Sequence, residues 1–229
     1  MSPAPSVIVF DVNETLSDMG PMAQRFTDVG APGHLARLWF TTLLRDAFAL
    51  TAAGGQRPFA ELAVTSLHTV LHGLDLDREL PEAVDHVMTG FSRLGLHPDV
   101  PAGVRALRRS GLRLATLSNG SAAVAERLLT DGGLRAEFEA LLSVEQAGAW
   151  KPARAAYEHA ARSCGADLAD MMMVAVHPWD VDGAARAGMS TAWIDRDGAP
   201  YPEAFTPPTM TADSLTGLAA QLTGDGSRR

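Results

Sequence analysis

A chain of 229 residues with a formal net charge of −8 is long enough for one generous domain, or for a core with an inserted module. The acidic balance argues against a nucleic-acid partner, because arginines such as Arg105, Arg108 and Arg109 are scattered along a helical segment and phosphate binding needs clustered cations. No apolar run approaches the roughly 18–20 residues that span a bilayer, the opening MSPAPS lacks the features of a signal peptide, and the single Cys164 excludes an internal disulfide framework. The expectation is a cytoplasmic protein without membrane association.

Taken in chain order, VIVF (7–10) is an apolar run that stops at a polar turn, the pattern of a buried parallel strand. Residues 19–96 then read as helices throughout: HLARLWFTTLLRDAFALTA, FAELAVTSLHTVLHGL and ELPEAVDHVMTGFSRL. Leu35, Leu38, Trp39 and Leu43 form an apolar stripe of helical period in the first of these. Beyond them PAGVRALRRS (101–110) predicts a helix and LRLATLS (112–118) a second strand. Helices follow over 121–132, 152–164 and 180–187, with strands at MMMVAV (171–176) and TAWI (191–194). This alternation predicts an α/β fold with a Rossmann-like parallel sheet flanked by helices. The expected domains are a core of 1–18 and 97–225, a helical cap of 19–96 placed over the strand ends, and a polar tail at 226–229.

In open parallel sheets ligands bind beyond the carboxyl ends of the strands. Asp11, Ser118 and His177 each stand at or just past such an end. Ser118 and Asn119 bring a hydroxyl and an amide to that edge, although SNGS is also good helix-capping chemistry. Cys164 reads as a small helix residue of the interior.

Four patterns fall in order: DVNET (11–15), LSNG (117–120), WKP (150–152) and HPWDVDGAARAG (177–188). Together they resemble the four motifs of the haloacid dehalogenase (HAD) superfamily, and most closely its type II haloacid dehalogenase branch. The resemblance covers nearly the whole chain. It implies that Asp11 is a nucleophile, held ionised by Lys151, with Asp180 holding Lys151 and the hydrolytic water. Ser118 and Asn119 would hold a substrate carboxylate or a departing halide, Thr15 would steady the loop, and Trp179 belongs to the structural Trp-Asp pair of the fourth motif. Asp182 reads as a charge near a helix N-terminus.

Asn13 narrows the chemistry. Phosphatases of the superfamily carry an acid there, which protonates the leaving alcohol, and an amide has no such proton. The alignment also puts Val176 where they place a magnesium-binding aspartate, and valine offers no oxygen to a hard cation. A halide needs neither group in order to leave. The resemblance therefore implies hydrolysis of small 2-haloalkanoic acids to 2-hydroxy acids through an ester on Asp11, with inversion at carbon and without metal or cofactor. It also implies a homodimer.

The pocket lining departs from the family. Tyrosine is usual at Asn13, and an arginine usually follows the Leu-Trp pair, here Leu38-Trp39, where this chain has Phe40. Arg45, one or two turns on, is the candidate replacement cation. Trp39 and Phe40 read either as an aromatic wall of the site or as core. His177 stands where the family has asparagine, and is expected to place water and to act as a general base. Two other readings compete: a hydrolase or phosphatase acting on another small molecule, and a catalytically idle binding protein. Retention of Asp11, Lys151 and Asp180 counts against the last, because isolated charges are costly to bury.

Overall fold

The computed structural model describes residues 5–224; the expected tail at 226–229 and the first four residues of MSPAPS lie outside them. Contacts divide the chain into one unit of Met1–Ser17 with Gly95–Arg229 and a second of Asp18–Leu94.

Among the described residues the first unit is built on six parallel strands: β1 (Val7–Phe10), β2 (Arg113–Ser118), β3 (Ala140–Ser143), β4 (Met171–Ala175), β5 (Ser190–Ile194) and β6 (Met210–Ala212). Their order across the sheet is β3-β2-β1-β4-β5-β6, the doubly wound Rossmann order. Every residue of β1 and β4 is buried, as a strand covered on both faces requires. That is why both read as unbroken apolar runs. Val7 pairs with Arg113 on one side and with Met171 on the other, so β1 lies at the centre of the sheet. The chain leaves β1 towards β2 and β4 on opposite sides, and the crevice at such a switch point is where these sheets bind ligands.

Helices α5 (Val100–Arg109), α6 (Ala122–Asp131), α7 (Arg154–Cys164), α8 (Pro178–Ala187) and α9 (Leu215–Thr223) complete this unit. A Cβ on Gly103 would stand 2.6 Å from that of Leu215, so the close packing of α5 on α9 requires glycine there. Asp99, just before α5, accepts the Leu215 backbone N–H at 2.7 Å and pairs with Arg196 at 2.8 Å. Cys164 is a buried free thiol at the end of α7.

The second unit contains α1 (Met22–Thr27), α2 (Leu35–Ala52), α3 (Phe59–Leu71) and α4 (Leu80–Ser92). Trp39 fills its interior against Phe26, Phe40 and Phe91, and Phe59 stacks on Phe91 at 5.3 Å. Among the described residues no helix is long and apolar enough to cross a membrane.

Four of these elements lay outside the segments quoted from the sequence: β3, β6, α1 and α9. β3, β6 and α1 have four, three and six residues, too short for hydrophobic periodicity to register, and α9 has nine. β3 and β6 are also the sheet's edge strands, where short elements are usual.

Candidate active site

Asp11 follows β1 directly, and its backbone N–H donates to the Val174 carbonyl at 3.0 Å, extending the sheet register by one step. The chain then curls back: Leu16 and Ser17 both donate to the Val12 carbonyl. The curl puts Glu14 at φ 64°, a left-handed conformation that a side chain bearing a Cβ rarely adopts and that costs on the order of 1 kcal/mol. The Glu14 carbonyl takes a hydrogen bond from His97 Nε2 at 2.9 Å, which helps to hold the turn. The turn brings Thr15 round onto the nucleophile position. Thr15 Oγ1 donates to Asp11 Oδ2 at 2.7 Å and accepts the Val176 N–H at 3.1 Å. Thr15, expected only to steady the loop, touches the carboxylate itself.

The second side of the carboxylate belongs to Lys151. Its Nζ lies 2.8 Å from Asp11 Oδ1 and 2.7 Å from Asp180 Oδ2, and all three residues are at most 3 % exposed. Burial alone would lower the lysine, but the two carboxylates outweigh it and keep it ammonium. Burial alone would raise Asp11, yet the Lys151 charge and the His177 contact take it well below the usual carboxylate range. Asp180 moves the other way: burial and the Asp11 charge raise it above its ordinary value against the pull of Lys151. The two carboxyls therefore have different proton affinities. One stays ionised and nucleophilic, and the other is better suited to take a proton.

Asp180 lies in the first turn of α8. Its Oδ1 accepts from Tyr157 Oη at 2.7 Å, and burial with that carboxylate beside it keeps the Tyr157 phenol protonated. Gly183 permits this approach, since a Cβ there would stand 2.6 Å from Tyr157 Oη and 2.5 Å from Pro152 Cβ. Asp182, expected as a helix-end charge, sits in the second turn of α8. It pairs with Arg186 at 2.8 Å and accepts two hydrogen bonds from Thr206.

His177 precedes α8. Nδ1 lies 3.2 Å from Asp11 Oδ2, Nε2 lies 2.7 Å from Glu14 Oε2, and the ring stacks on Trp179 with centroids 4.9 Å apart. Trp179 also lies under Lys151 Nζ, 6.0 Å from its centroid. Burial would lower the imidazole, but the two carboxylates raise it to about 10. This corrects the expectation of a general base. Near neutral pH the ring is already an imidazolium with both N–H groups directed at carboxylates, so it has no lone pair with which to take a proton.

Ser118 and Asn119, at the end of β2, are buried beside this cluster. Ser118 Oγ accepts the Gly120 N–H at 2.9 Å. Asn119 grips the Lys151 main chain with both ends of its amide, Oδ1 accepting from N at 2.9 Å and Nδ2 donating to O at 3.4 Å. The amide expected to hold substrate thus first of all positions the lysine. Asn13 is buried on the curled loop, where its backbone pairs with Ser17. The Val176 carbonyl accepts from Trp193 Nε1 at 2.9 Å.

The remaining candidates lie in the helical unit. Trp39 is fully buried and donates Nε1–H to the Ala63 carbonyl at 3.0 Å, and Phe40 is buried next to it. Both serve that unit's interior. Arg45 is 67 % exposed and paired with its neighbour Asp46 at 2.8 Å, the ordinary state of a surface arginine rather than of a buried replacement cation.

Glu14 and Tyr157 escaped the sequence reading. Glu14 sits in plain view within DVNET, but the positive φ that turns the loop leaves no trace in composition. Tyr157 is an aromatic residue on the buried face of α7, and sequence alone does not separate it from any other core residue.

A parallel sheet of Rossmann order with a depressed carboxylate, a buried ammonium and a second carboxylate beyond its switch point defines the class: a hydrolase equipped for nucleophilic attack by aspartate. The family model described as haloacid dehalogenase-like hydrolase matches residues 5–188, and the chain belongs to that family. Among its relatives, haloacetate dehalogenase H-2 of Moraxella sp. (strain B) is 32 % identical over 213 residues, covering 90 % of this chain and 94 % of that protein. An (S)-2-haloacid dehalogenase of Pseudomonas sp. (strain YL) is also 32 % identical over 213 residues, covering 91 % and 90 %. The solved structure of an L-2-haloacid dehalogenase superposes with a TM-score of 0.90 at 28 % identity, over 96 % of this chain and 99 % of that one. That of a dehalogenase with an intermediate complex gives 0.90 at 26 % identity, over 97 % and 99 %.

Proposed function

We propose that the protein hydrolyses small 2-haloalkanoic acids to 2-hydroxy acids through an ester on Asp11. The observation that carries this reading is the Asp11–Lys151–Asp180 array, in which one carboxylate is held ionised and the other has its proton affinity raised. Asp11 attacks the carbon bearing the halogen from the side opposite the leaving group, and the halide departs with the bonding electron pair. Water then adds to Cγ of the ester and gives up a proton to Asp180. The Cγ–O bond to the substrate breaks, the hydroxy acid takes a proton, and Asp11 is restored. Ser118 and the outer N–H of Asn119 hold the substrate carboxylate or the halide.

Halide departure needs no proton donor, which suits the amide at Asn13. The side chains of Asn13 and Val176 give a magnesium ion no carboxylate there, so the reaction is metal-independent. The relatives named for (S)-2-haloacids support the (S) enantiomer as substrate, with inversion to the (R)-hydroxy acid. The helical unit serves as the cap of this enzyme. A cytoplasmic location suits the single buried thiol, and the resemblance to type II dehalogenases supports a homodimer.

The test is halide release from chloroacetate and from each enantiomer of 2-chloropropionate with EDTA present, for wild type and Asp11→Asn. Release that withstands EDTA, favours the (S) form and disappears in the variant is the expected result. No release from any of the three by folded wild type would sink the proposal.

A further inference from the structure

The two oxygens of Asp11 are not equivalent. Oδ1 receives one donor, Lys151 Nζ at 2.8 Å, whereas Oδ2 receives two, Thr15 Oγ1 at 2.7 Å and His177 Nδ1 at 3.2 Å. Each of these two is held from behind. The Val176 N–H donates to Thr15 Oγ1, so the hydroxyl hydrogen points to Asp11. Glu14 Oε2 takes the other ring N–H of His177 at 2.7 Å. We propose that Oδ2 is the oxygen that becomes the oxyanion when water attacks the Asp11 ester, and that His177, with Glu14 as its positioning residue, joins Thr15 as the donor pair that stabilises it. The inference rests on the dehalogenase reading above and assigns the ester-cleaving half of that reaction.

An ester oxygen bonded to carbon is a poor acceptor, so the oxygen with fewer donors, Oδ1, forms the bond to substrate. Oδ2 remains as the ester carbonyl with both donors in place. Esterification removes the Asp11 charge, and both neighbouring cations must survive that loss. Lys151 keeps Asp180 at 2.7 Å, and His177 keeps Glu14 at 2.7 Å. Each cation thus has a carboxylate of its own besides the shared one. Water addition to Cγ moves the carbonyl electron pair onto Oδ2, where fixed donors at hydrogen-bond distance are most effective. Collapse then expels the Cγ–Oδ1 pair to the departing alkoxide, and Oδ1 leaves with the product.

The placement also runs against a local electrostatic preference. His177 stands at the N-terminal end of α8, where a cation is disfavoured by the helix dipole, and it is largely buried. Asp11 and Glu14 face its two nitrogens and Trp179 its ring face, with Lys151 beyond that indole. The carboxylates offset both penalties. The strained φ of Glu14 is what carries one of them into reach, and strain of this kind collects at functional sites.

Rapid-quench turnover of chloroacetate tests the assignment in wild type, Glu14→Gln and His177→Asn, with His177→Gln in reserve should the asparagine variant fail to fold. Both variants are expected to release about one halide per enzyme in a burst. Steady turnover should then fall roughly 10²–10³-fold, the range for loss of one oxyanion donor. Intact-protein mass should show the ester accumulating on Asp11. Wild-type turnover with variants that are unimpaired, or slowed without burst or adduct, would overturn the oxyanion assignment alone. No halide from wild type would overturn the dehalogenase reading and this one with it. A second readout does not depend on turnover. Asp11→Asn imitates the uncharged ester, and ¹⁵N resonances at pH 8 should show His177 doubly protonated there but neutral once Glu14→Gln is added. A neutral ring in Asp11→Asn alone would also overturn the proposal.

Discussion

The two units of the chain bury very different things. Between Asp18 and Leu94 the only buried polar residues are Thr42 and Ser66, and the interior is aromatic and aliphatic, centred on Trp39. The sheet unit buries Asp11, Lys151 and Asp180 at its strand ends, together with Ser118, Asn119 and Thr15. An apolar interior tolerates a change at the cost of the volume removed. A buried ionic cluster depends on every member, because removal of one leaves the others uncompensated. The helical unit is therefore organised for stability, whereas the sheet unit gives up stability locally to hold a reactive carboxylate ionised.

The largest effects should come from breaking the ionic cluster. Asp11→Asn removes the nucleophile and should cost at least ~10⁴-fold in turnover, as loss of a nucleophile does elsewhere, while the fold survives because the amide keeps the shape. Lys151→Met should abolish activity and also destabilise by about 3–5 kcal/mol, since two buried carboxylates then face one another. Urea unfolding of Lys151→Met beside the double variant with Asp180→Asn separates these causes. If charge is responsible, the second substitution returns much of the stability and none of the activity. If the double variant is no more stable than the single, packing was responsible instead.

The apolar unit breaks differently. Trp39→Ala should cost about 3–5 kcal/mol through the cavity it leaves among Phe26, Phe40 and Phe91. Little of that should come from the lost hydrogen bond, because the Ala63 carbonyl also accepts from Ser66 Oγ at 3.0 Å. The loss should be nearly independent of pH between 5 and 9. A pH-dependent loss would mean that ionisable groups contribute to the packing around Trp39.

The sheet unit, by contrast, should respond to pH. His177 is raised from 6.5 to about 10 in the fold, so its contribution is fully present below about pH 6.5 and is lost as pH rises towards 10. Asp11 is lowered from 3.8, so its contribution is present above that value and is lost as pH falls further. These two groups by themselves give a window of highest stability between about pH 4 and pH 6.5, which the raised Asp180 opposes, since its contribution is lost as pH rises above its ordinary value. Raising pH from 6.5 to 10 should cost on the order of a few kcal/mol in denaturant unfolding. Glu14→Gln should shift that loss to lower pH, and an unshifted profile would show that Glu14 does not hold the imidazolium.

How much of this was legible in the sequence also divides by region. The stripe of Leu35, Trp39 and Leu43 reveals α2, and VIVF reveals the central strand, because burial on one face or on both imposes a period. Asp11 was legible as a carboxylate just past a buried strand, and Lys151 and Asp180 through the resemblance of WKP and HPWDVDGAARAG to the family's motifs. The protonation state of His177 was not. It depends on Glu14 reaching the ring's far nitrogen, which follows from one left-handed residue in the loop, and no pattern of residue types records that. Tyr157 was hidden for a related reason: its hydroxyl matters only because Gly183 on another helix leaves room for it.

The smallest predicted effect sharpens the contrast from the other side. Arg45 lies within α2, seven residues before its last, but its side chain is 67 % exposed and its partner Asp46 is 43 % exposed. Water screens such a pair, and ordering two long side chains offsets most of its attraction. Arg45→Ala should therefore change unfolding stability by no more than about 0.5 kcal/mol. If Arg45 replaces the arginine that Phe40 displaces, the same variant should raise the KM for chloroacetate several-fold. If the charge at the reacting carboxylate is supplied within the sheet unit, by Lys151 and His177, KM and kcat should both stay within twofold of wild type. The ion pairs at Asp11 favour the second outcome, because both cations already touch the atoms that react.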